Sequence, residues 1–114
     1  MSECLFCRII DHQATASIVH EDEHLVAFND INPQAPVHVL IVPRRHIATL
    51  NDLAAADDDL VGEMIRRAAA IAAARHVAVG GYRTVFNCNG DAGQSVWHIH
   101  LHLIGGRRLR WPPG

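Results

Sequence analysis

Three histidines alternate with apolar residues near the end of this sequence, and their types and spacing are suited to chemistry. They are His98, His100 and His102, within the stretch WHIHLHLIGG of residues 97–106, and they are named here the histidine row. Successive side chains of a β-strand point to opposite faces, so a strand here would align the three imidazoles on one face. The intervening isoleucine and leucines would then face an apolar core.

Two kinds of chemistry and one structural role suit the histidine row. Three neutral imidazoles can hold a zinc ion and leave one position open, which would make a metal-hydroxide hydrolase. Alternatively, one imidazole attacks phosphorus and forms a phosphohistidine, because histidine is a neutral nucleophile near pH 7. The structural alternative is a set of polar side chains on a solvated sheet face. Lys, Thr or Glu would serve that role equally well, which weighs against it for three histidines.

The segments around the histidine row predict an α+β fold with a five-stranded antiparallel sheet. Short β-branched runs, separated by turn residues, predict three strands in the first half of the chain. Two more strands follow later and are joined by the glycine-containing loop 89–95. The five predicted strands are 17–21, 24–30, 37–43, 82–88 and 98–105.

One long helix is predicted between the third and fourth strands. Negative charge at residues 57–59 favours a helix start, and Gly80-Gly81 is expected to end it. This helix would pack on the apolar side of the sheet and leave the histidine row on the open face. Its predicted apolar face consists of Leu60, Met64, Ile65, Ala68, Ile71 and Ala72.

Composition limits the class of protein. The 114 residues, 49% of them apolar, fit one domain, 1–114. Ten basic residues against twelve acidic ones, with no block of like charge, argue against a nucleic-acid or membrane-surface partner, so a small partner is expected. No basic segment leads into an apolar stretch, and no run of about 18 apolar residues occurs. We therefore expect neither export nor membrane insertion, and a cytoplasmic location.

Three cysteines are expected to stay reduced in that compartment, so structural disulfides are not predicted. Cys4 and Cys7 form a C-x-x-C pair, which is consistent with half of a metal site, a redox pair or two buried thiols. Cys88 has no partner near it in the sequence and is expected to pack as a small apolar residue on the fourth strand.

The sequence resembles the histidine triad family, whose signature the histidine row meets. Residues 27–47 are similar to the nucleotide-binding hairpin of that family, and residues 89–107 to its catalytic loop and strand. The ending RWPPG, residues 110–114, is similar to that of the Hint branch. The resemblance implies a homodimer that joins two five-stranded sheets. It also implies hydrolysis of purine nucleoside phosphoramidates, such as adenosine 5′-phosphoramidate, or of aminoacyl adenylate-like species, through a covalent nucleotidyl-histidine.

The resemblance also implies roles for individual residues. His100 would be the nucleophile, with a backbone carbonyl holding its other nitrogen protonated, and His102 and Ser95 would contact the phosphate or leaving group. His38 would lie beside the phosphate, and Asp30 would accept hydrogen bonds from the ribose hydroxyls. Asn87 and Gln94 would supply further polar contacts to the nucleotide. Its base would lie in an apolar slot, named here the base slot, formed by Phe6, Ile9, Phe28 and Ile31. Trp111 would also contact the nucleotide, from a C-terminal extension, 107–114, that reaches the partner subunit.

Simpler roles exist for several of these residues. Asp30, before Ile31-Asn32-Pro33, could cap a turn. Gln94 and Ser95 could be ordinary loop residues, and the four apolar residues of the base slot could be ordinary core. The arginines at 107, 108 and 110 could belong to a solvated terminal segment or to a protein partner surface.

A structural zinc site is the other implication of the resemblance. Cys4 and Cys7 match the half-site of many prokaryotic members, which is completed by His46 and by the first histidine of the row, His98. With four protein ligands no water can be activated, so such a zinc ion would stabilise the fold rather than catalyse.

Two other functions remain open from the sequence. Other branches of the family contain dinucleoside polyphosphate hydrolases and phosphorylases, against which Ser95 and the WPPG ending argue. A nucleotide-binding scaffold with incidental turnover is the alternative from a different class.

Overall fold

A five-stranded antiparallel sheet organises the molecule, as predicted. The computed structural model describes residues 3–114, so the predicted domain 1–114 is described from its third residue onward. Along the sheet the strand order is β1-β2-β3-β5-β4, and each neighbouring pair is antiparallel. The strands are β1 (Ile18–Glu21), β2 (Leu25–Asn29), β3 (Val37–Pro43), β4 (Tyr82–Val85) and β5 (Leu101–Gly105).

Each face of the sheet carries its own apolar core. The central strand β3 is therefore buried along its whole length. On one face the long helix α2, Asp58–Ala74, packs Met64, Ala68 and Ile71 against Leu101, Leu103 and other sheet residues. On the other face a short helix α1, Leu5–Ile10, packs Phe6 and Ile9 against β2 and β3. The expected open face of the sheet is therefore covered in part by α1, a helix that the sequence pattern does not predict.

The long helix ends earlier than the glycine pair predicts. His76 adopts the left-handed conformation with φ of 63°, and its N–H bonds to the carbonyl of Ala73, while that of Val77 bonds to Ala72. These two bonds form a Schellman motif, so a histidine occupies the position that glycine usually takes. Ile65, predicted to lie on the buried face, is 50% exposed, because the buried face follows Met64, Ala68 and Ile71.

The last two strands are also shorter than predicted. β4 ends at Val85, so Cys88 lies in the irregular segment that follows it and not on a strand. β5 begins at Leu101, so His98 and His100 precede it. The alternation of faces nevertheless holds, because Ile99 is buried in the core beneath α2 and its N–H bonds to the carbonyl of Ile47 at 2.7 Å. Within residues 3–114 no helix is long and apolar enough to cross a membrane.

Candidate active site

A cavity of about 360 Å³ opens between α1, β2 and the histidine row. Phe6, Ile9 and Phe28, three of the four residues predicted for a base slot, form its apolar wall. The fourth, Ile31, lies at the rim with its side chain almost fully exposed. A volume of this size, apolar with a few polar groups, suits a nucleoside-sized ligand. The polar groups of the lining come from Thr15, Asn29, Asp30, Ser95, His100 and His102.

His100 is held in one orientation and one tautomer. Its Nδ1 donates a hydrogen bond to the carbonyl oxygen of His98 at 2.8 Å, so Nε2 carries the lone pair. The Phe6 ring packs edge-on against the imidazole, with ring centroids 5.0 Å apart. Burial lowers the pKa of His100, so the ring is neutral at pH 7. A neutral imidazole with a fixed lone pair is the form that can attack an electrophile.

A chain of hydrogen bonds sets the tautomer of His102. The N–H of Gln34 can only donate, and it lies 3.0 Å from Nδ1 of His38, so His38 carries its own proton on Nε2. That Nε2 lies 2.9 Å from Nδ1 of His102 and donates to it. The remaining proton of His102 must then sit on Nε2. Burial, together with the neighbouring histidines His100 and His38, lowers the pKa of His102 to about 4, so this ring is a neutral donor.

Asp30 caps a turn and also lines the cavity. Its Oδ1 accepts the N–H of Asn32 at 2.8 Å, which is the turn-capping role. Its Oδ2 lies 3.4 Å from Nε2 of His38, and the residue lines the cavity. One carboxylate oxygen is therefore committed to the turn, and the other lies beside the polar end of the cavity.

Three residues predicted to contact nucleotide lie outside the cavity lining. Gln94 is buried, and its side-chain amide bonds to the backbone at Ala48, Asn89 and Val96, so its role is to hold the loop before the histidine row. Asn87 follows β4, and Trp111 is 82% exposed near the chain end. Conversely, Leu40 lines the cavity without having been predicted. Leu40 lies two residues after His38 on the same strand, so period-two alternation places its side chain on the same face as that of His38.

Cys4, Cys7, His46 and His98 come together, as the resemblance implies, and are named here the cysteine-histidine cluster. The Sγ–Nδ1 distances are 3.5 Å from Cys4 to His98 and 3.4 Å from Cys7 to His46. The two Nδ1 atoms of the histidines are 3.1 Å apart. A tetrahedral zinc ion with usual bond lengths would place S and N about 3.5 Å apart and two N atoms about 3.3 Å apart.

The protonation of His98 also fits a metal ligand. Its Nε2 donates to the carbonyl of Pro43 at 2.7 Å, which leaves the Nδ1 lone pair facing the cluster. The ring is fully buried, and this burial lowers its pKa to about 4, so it is neutral. Two thiolates and two neutral imidazoles are a donor set typical of structural zinc, so the residues present fit that ion.

A second surface depression, of about 460 Å³, lies between the β1–β2 turn and α2. It is larger than the cavity beside the histidine row, but its charged side chains pair with one another. His24 bonds to Glu63 at 2.9 Å, and Arg67 lies 3.9 Å from Asp22. The lining of this depression is mostly charged, and its histidine, His24, is paired with Glu63. The cavity beside the histidine row, which combines an apolar wall with a neutral imidazole, is therefore the better candidate site.

Comparisons with known proteins agree with this fold. Residues 3–108 match the family described as "Scavenger mRNA decapping enzyme C-term binding". The purine nucleoside phosphoramidase of Escherichia coli K12 is 46% identical over 107 residues, which cover 94% of this chain and 90% of that protein. The structure of a HIT family hydrolase from Legionella pneumophila Philadelphia 1 matches with a TM-score of 0.97 at 50% identity, covering 98% of this chain and 100% of the other.

A zinc-bound histidine triad family protein from Mycobacterium smegmatis matches with a TM-score of 0.82 at 33% identity, covering 92% of this chain and 76% of the other. The fold and the histidine row, together with these matches, define the class of protein. The chain belongs to the histidine triad family and is a hydrolase of that family.

Proposed function

We propose that the protein hydrolyses the phosphorus–nitrogen bond of purine nucleoside phosphoramidates through a covalent nucleotidyl-histidine on His100. The observation that carries the proposal is the state of His100, a neutral imidazole whose Nδ1 is bonded to the His98 carbonyl. It lines a nucleoside-sized cavity together with Asp30 and His102. The 46% identity to a purine nucleoside phosphoramidase supports this choice of substrate class.

The reaction proceeds in two displacements at phosphorus. In the first, the lone pair of His100 Nε2 forms a bond to phosphorus, and the phosphorus–nitrogen bond of the substrate breaks. The leaving amine keeps that electron pair and takes up a proton from solvent. In the second, water attacks phosphorus and loses a proton to solvent, and the bond to His100 breaks with its electron pair returning to Nε2. The products are a nucleoside monophosphate and the amine.

The other polar groups act on the phosphate and the sugar. The Nε2–H of His102 donates to a phosphoryl oxygen, where fixed donors lower the barrier because no solvent must reorganise. Ser95 lies at the exposed rim and contacts the phosphate or the leaving amine. The carboxylate of Asp30 accepts hydrogen bonds from the ribose hydroxyls. Asn87 lies outside the cavity lining and is proposed as a further polar contact of the bound nucleotide.

The cysteine-histidine cluster would hold zinc as a structural ion. Zinc would supply a cross-link there, because all four ligand positions are filled by protein side chains. Cys4 caps α1, its Sγ accepting the N–H of Cys7, while His98 adjoins the nucleophile. The cluster therefore connects α1, which carries Phe6 and Ile9 of the cavity wall, to the segment that carries His100. Keeping its two thiols as ligands requires a reducing compartment, consistent with a cytoplasmic location.

We also infer a homodimer that joins the two sheets through β4 and α2. β4 is an edge strand, and edge strands carry unpaired backbone groups that favour pairing with another strand. Exposed apolar side chains lie on or near these elements, on Ile65, Val79 and Tyr82. The C-terminal Trp111 would reach the partner's active site in such a dimer.

The deciding experiment compares kcat/KM for adenosine 5′-phosphoramidate, a dinucleoside tetraphosphate and a nucleotidyl sugar. We expect the phosphoramidate to be preferred by at least tenfold, about 1.4 kcal/mol in the barrier. A preference for the tetraphosphate would instead place the protein among the polyphosphate hydrolases or phosphorylases. Tight nucleotide binding without turnover of any of the three would favour the scaffold role.

A further inference from the structure

The loop between β2 and β3, residues 30–36, is held by the segment that follows β5. Nε of Arg107 donates to the carbonyl of Gln34 at 2.9 Å, and Nη1 donates to the carbonyl of Arg108 at 3.0 Å. Gly106 lies against the same loop, since a Cβ there would come within 3.0 Å of Pro36 Cβ. Its φ of 93° also favours glycine. Two consecutive residues after β5 therefore contact this loop.

Gln34 connects this contact to the active site. Its carbonyl accepts from Arg107, while its N–H donates to Nδ1 of His38. That N–H forces the proton of His38 onto Nε2 and makes His102 present an N–H to the cavity. If the loop moved, His38 could carry its proton on Nδ1 and accept from His102. His102 would then present a lone pair to the phosphoryl oxygens, which is repulsive.

We propose that Arg107 is a positioning residue for the reaction: by holding Gln34 it keeps His38 and His102 in the tautomers that aim an N–H at the phosphate. This inference rests on the proposed function. The carboxylate of Asp30, 3.4 Å from Nε2 of His38, also favours a proton on that nitrogen. Loss of Arg107 should therefore shift the tautomers in part. The competing explanation is that an exposed arginine only anchors the chain end.

The test uses the full chain with Arg107→Ala, Arg107→Lys and the neighbouring control Arg108→Ala. The control keeps every bond described, because Arg108 contributes only its backbone carbonyl to Arg107. Imidazole ¹⁵N shifts of His38 and His102 report the tautomers in the free protein, without any substrate. Steady-state kinetics with adenosine 5′-phosphoramidate report kcat and KM separately.

We expect wild type and Arg108→Ala to show His38 and His102 protonated on Nε2 alone. Arg107→Ala should add signal from the Nδ1 form and lower kcat about three- to tenfold, the range for one net hydrogen bond, with little change in KM. Arg107→Lys should recover part of both. Unchanged ¹⁵N shifts in Arg107→Ala, or an equal effect of Arg108→Ala, would overturn the inference. A wild type that is inactive on phosphoramidates but shows the expected shifts would overturn only the proposed substrate.

Discussion

The carbonyl oxygen of His98 accepts a hydrogen bond from Nδ1 of His100 at 2.8 Å. The ring of the same His98 belongs to the cysteine-histidine cluster and is fixed on its far side by Pro43. His98 therefore contributes its side chain to the candidate metal site and its backbone carbonyl to the proposed nucleophile. This arrangement separates the stability of the site from its chemistry, so the two can be tested independently.

Replacing the nucleophile should remove turnover but keep binding. In His100→Ala, kcat should fall by several decades, because the lost bond to phosphorus forms only along the reaction path. Affinity for AMP, measured by calorimetry, should stay close to that of wild type. His24→Ala is the matched control, since its exposed side chain pairs only with surface carboxylates.

Rapid acid or base quenching of the native enzyme gives a second measurement for His100. We expect an acid-labile, base-stable nucleotidyl adduct, located on His100 by peptide mapping. Near-native turnover in His100→Ala would refute the nucleophile assignment.

Metal analysis tests the cysteine-histidine cluster. Protein purified without added metal should carry roughly one zinc ion per chain, consistent with one four-ligand site. Cys4→Ser and His46→Ala should both reduce the zinc content and the melting temperature, because metal binding is coupled to folding. Cys88→Ser is the control, since Cys88 lies outside the cluster.

Chelation separates the two possible roles of that zinc. Treated protein that remains folded should keep part of its activity, because the His98 carbonyl still orients His100 when the ion is removed. Complete loss of activity with an unchanged fold, restored at once by zinc, would support a metal-hydroxide mechanism instead.

Asp30 should discriminate between ribose and deoxyribose. Each charge-assisted hydrogen bond contributes about 1.5–3 kcal/mol, so a 2′-deoxy substrate should bind native protein about ten- to a hundredfold more weakly. In Asp30→Asn the change from ribose to deoxyribose should weaken binding much less, because the negative charge is gone. The turn should be kept, because the asparagine oxygen can still accept the N–H of Asn32. Dissociation constants for the four protein–ligand pairs form a double-mutant cycle, and equal sugar effects in both proteins would show that Asp30 does not touch the ribose.

The C-terminal segment should affect selectivity among leaving groups. Truncation after Arg110 removes Trp111 but keeps Arg110, whose backbone oxygen accepts a hydrogen bond from Arg83 at 2.9 Å in the intact chain and can still accept one as part of the new terminal carboxylate. The shortened protein should still dimerise by sedimentation, yet rank phosphoramidates with different amines differently in kcat/KM. Truncation after Trp111 is the control and should preserve the native ranking. A monomer at micromolar concentration, or an unchanged ranking without Trp111, would contradict the role assigned to this segment.

The local sequence pattern was sufficient to predict the sheet, the long helix and the face of the sheet on which the side chains of the histidine row lie. Period-two alternation decides which side chains share a strand face, and this holds for Ile99, Leu101 and Leu103 even though β5 begins at Leu101. The start of α2 followed from its acidic residues. Its end did not, because a histidine takes the left-handed position that ordinarily signals glycine.

Only the tertiary structure decided what surrounds the histidine row. A six-residue helix is too short to show a hydrophobic period, so nothing local predicted that α1 would cover this face and place Phe6 against His100. Gln94 is predicted to contact the nucleotide, but its amide bonds to backbone groups of Ala48, Asn89 and Val96. Only the folded chain brings Ala48 close to Gln94. The tautomer of His102 depends on Gln34 and His38, separated from it by more than sixty residues. Hydrogen-bond direction across such distances is a property of three-dimensional packing, whereas the residue types that make the chemistry possible are already present in the sequence.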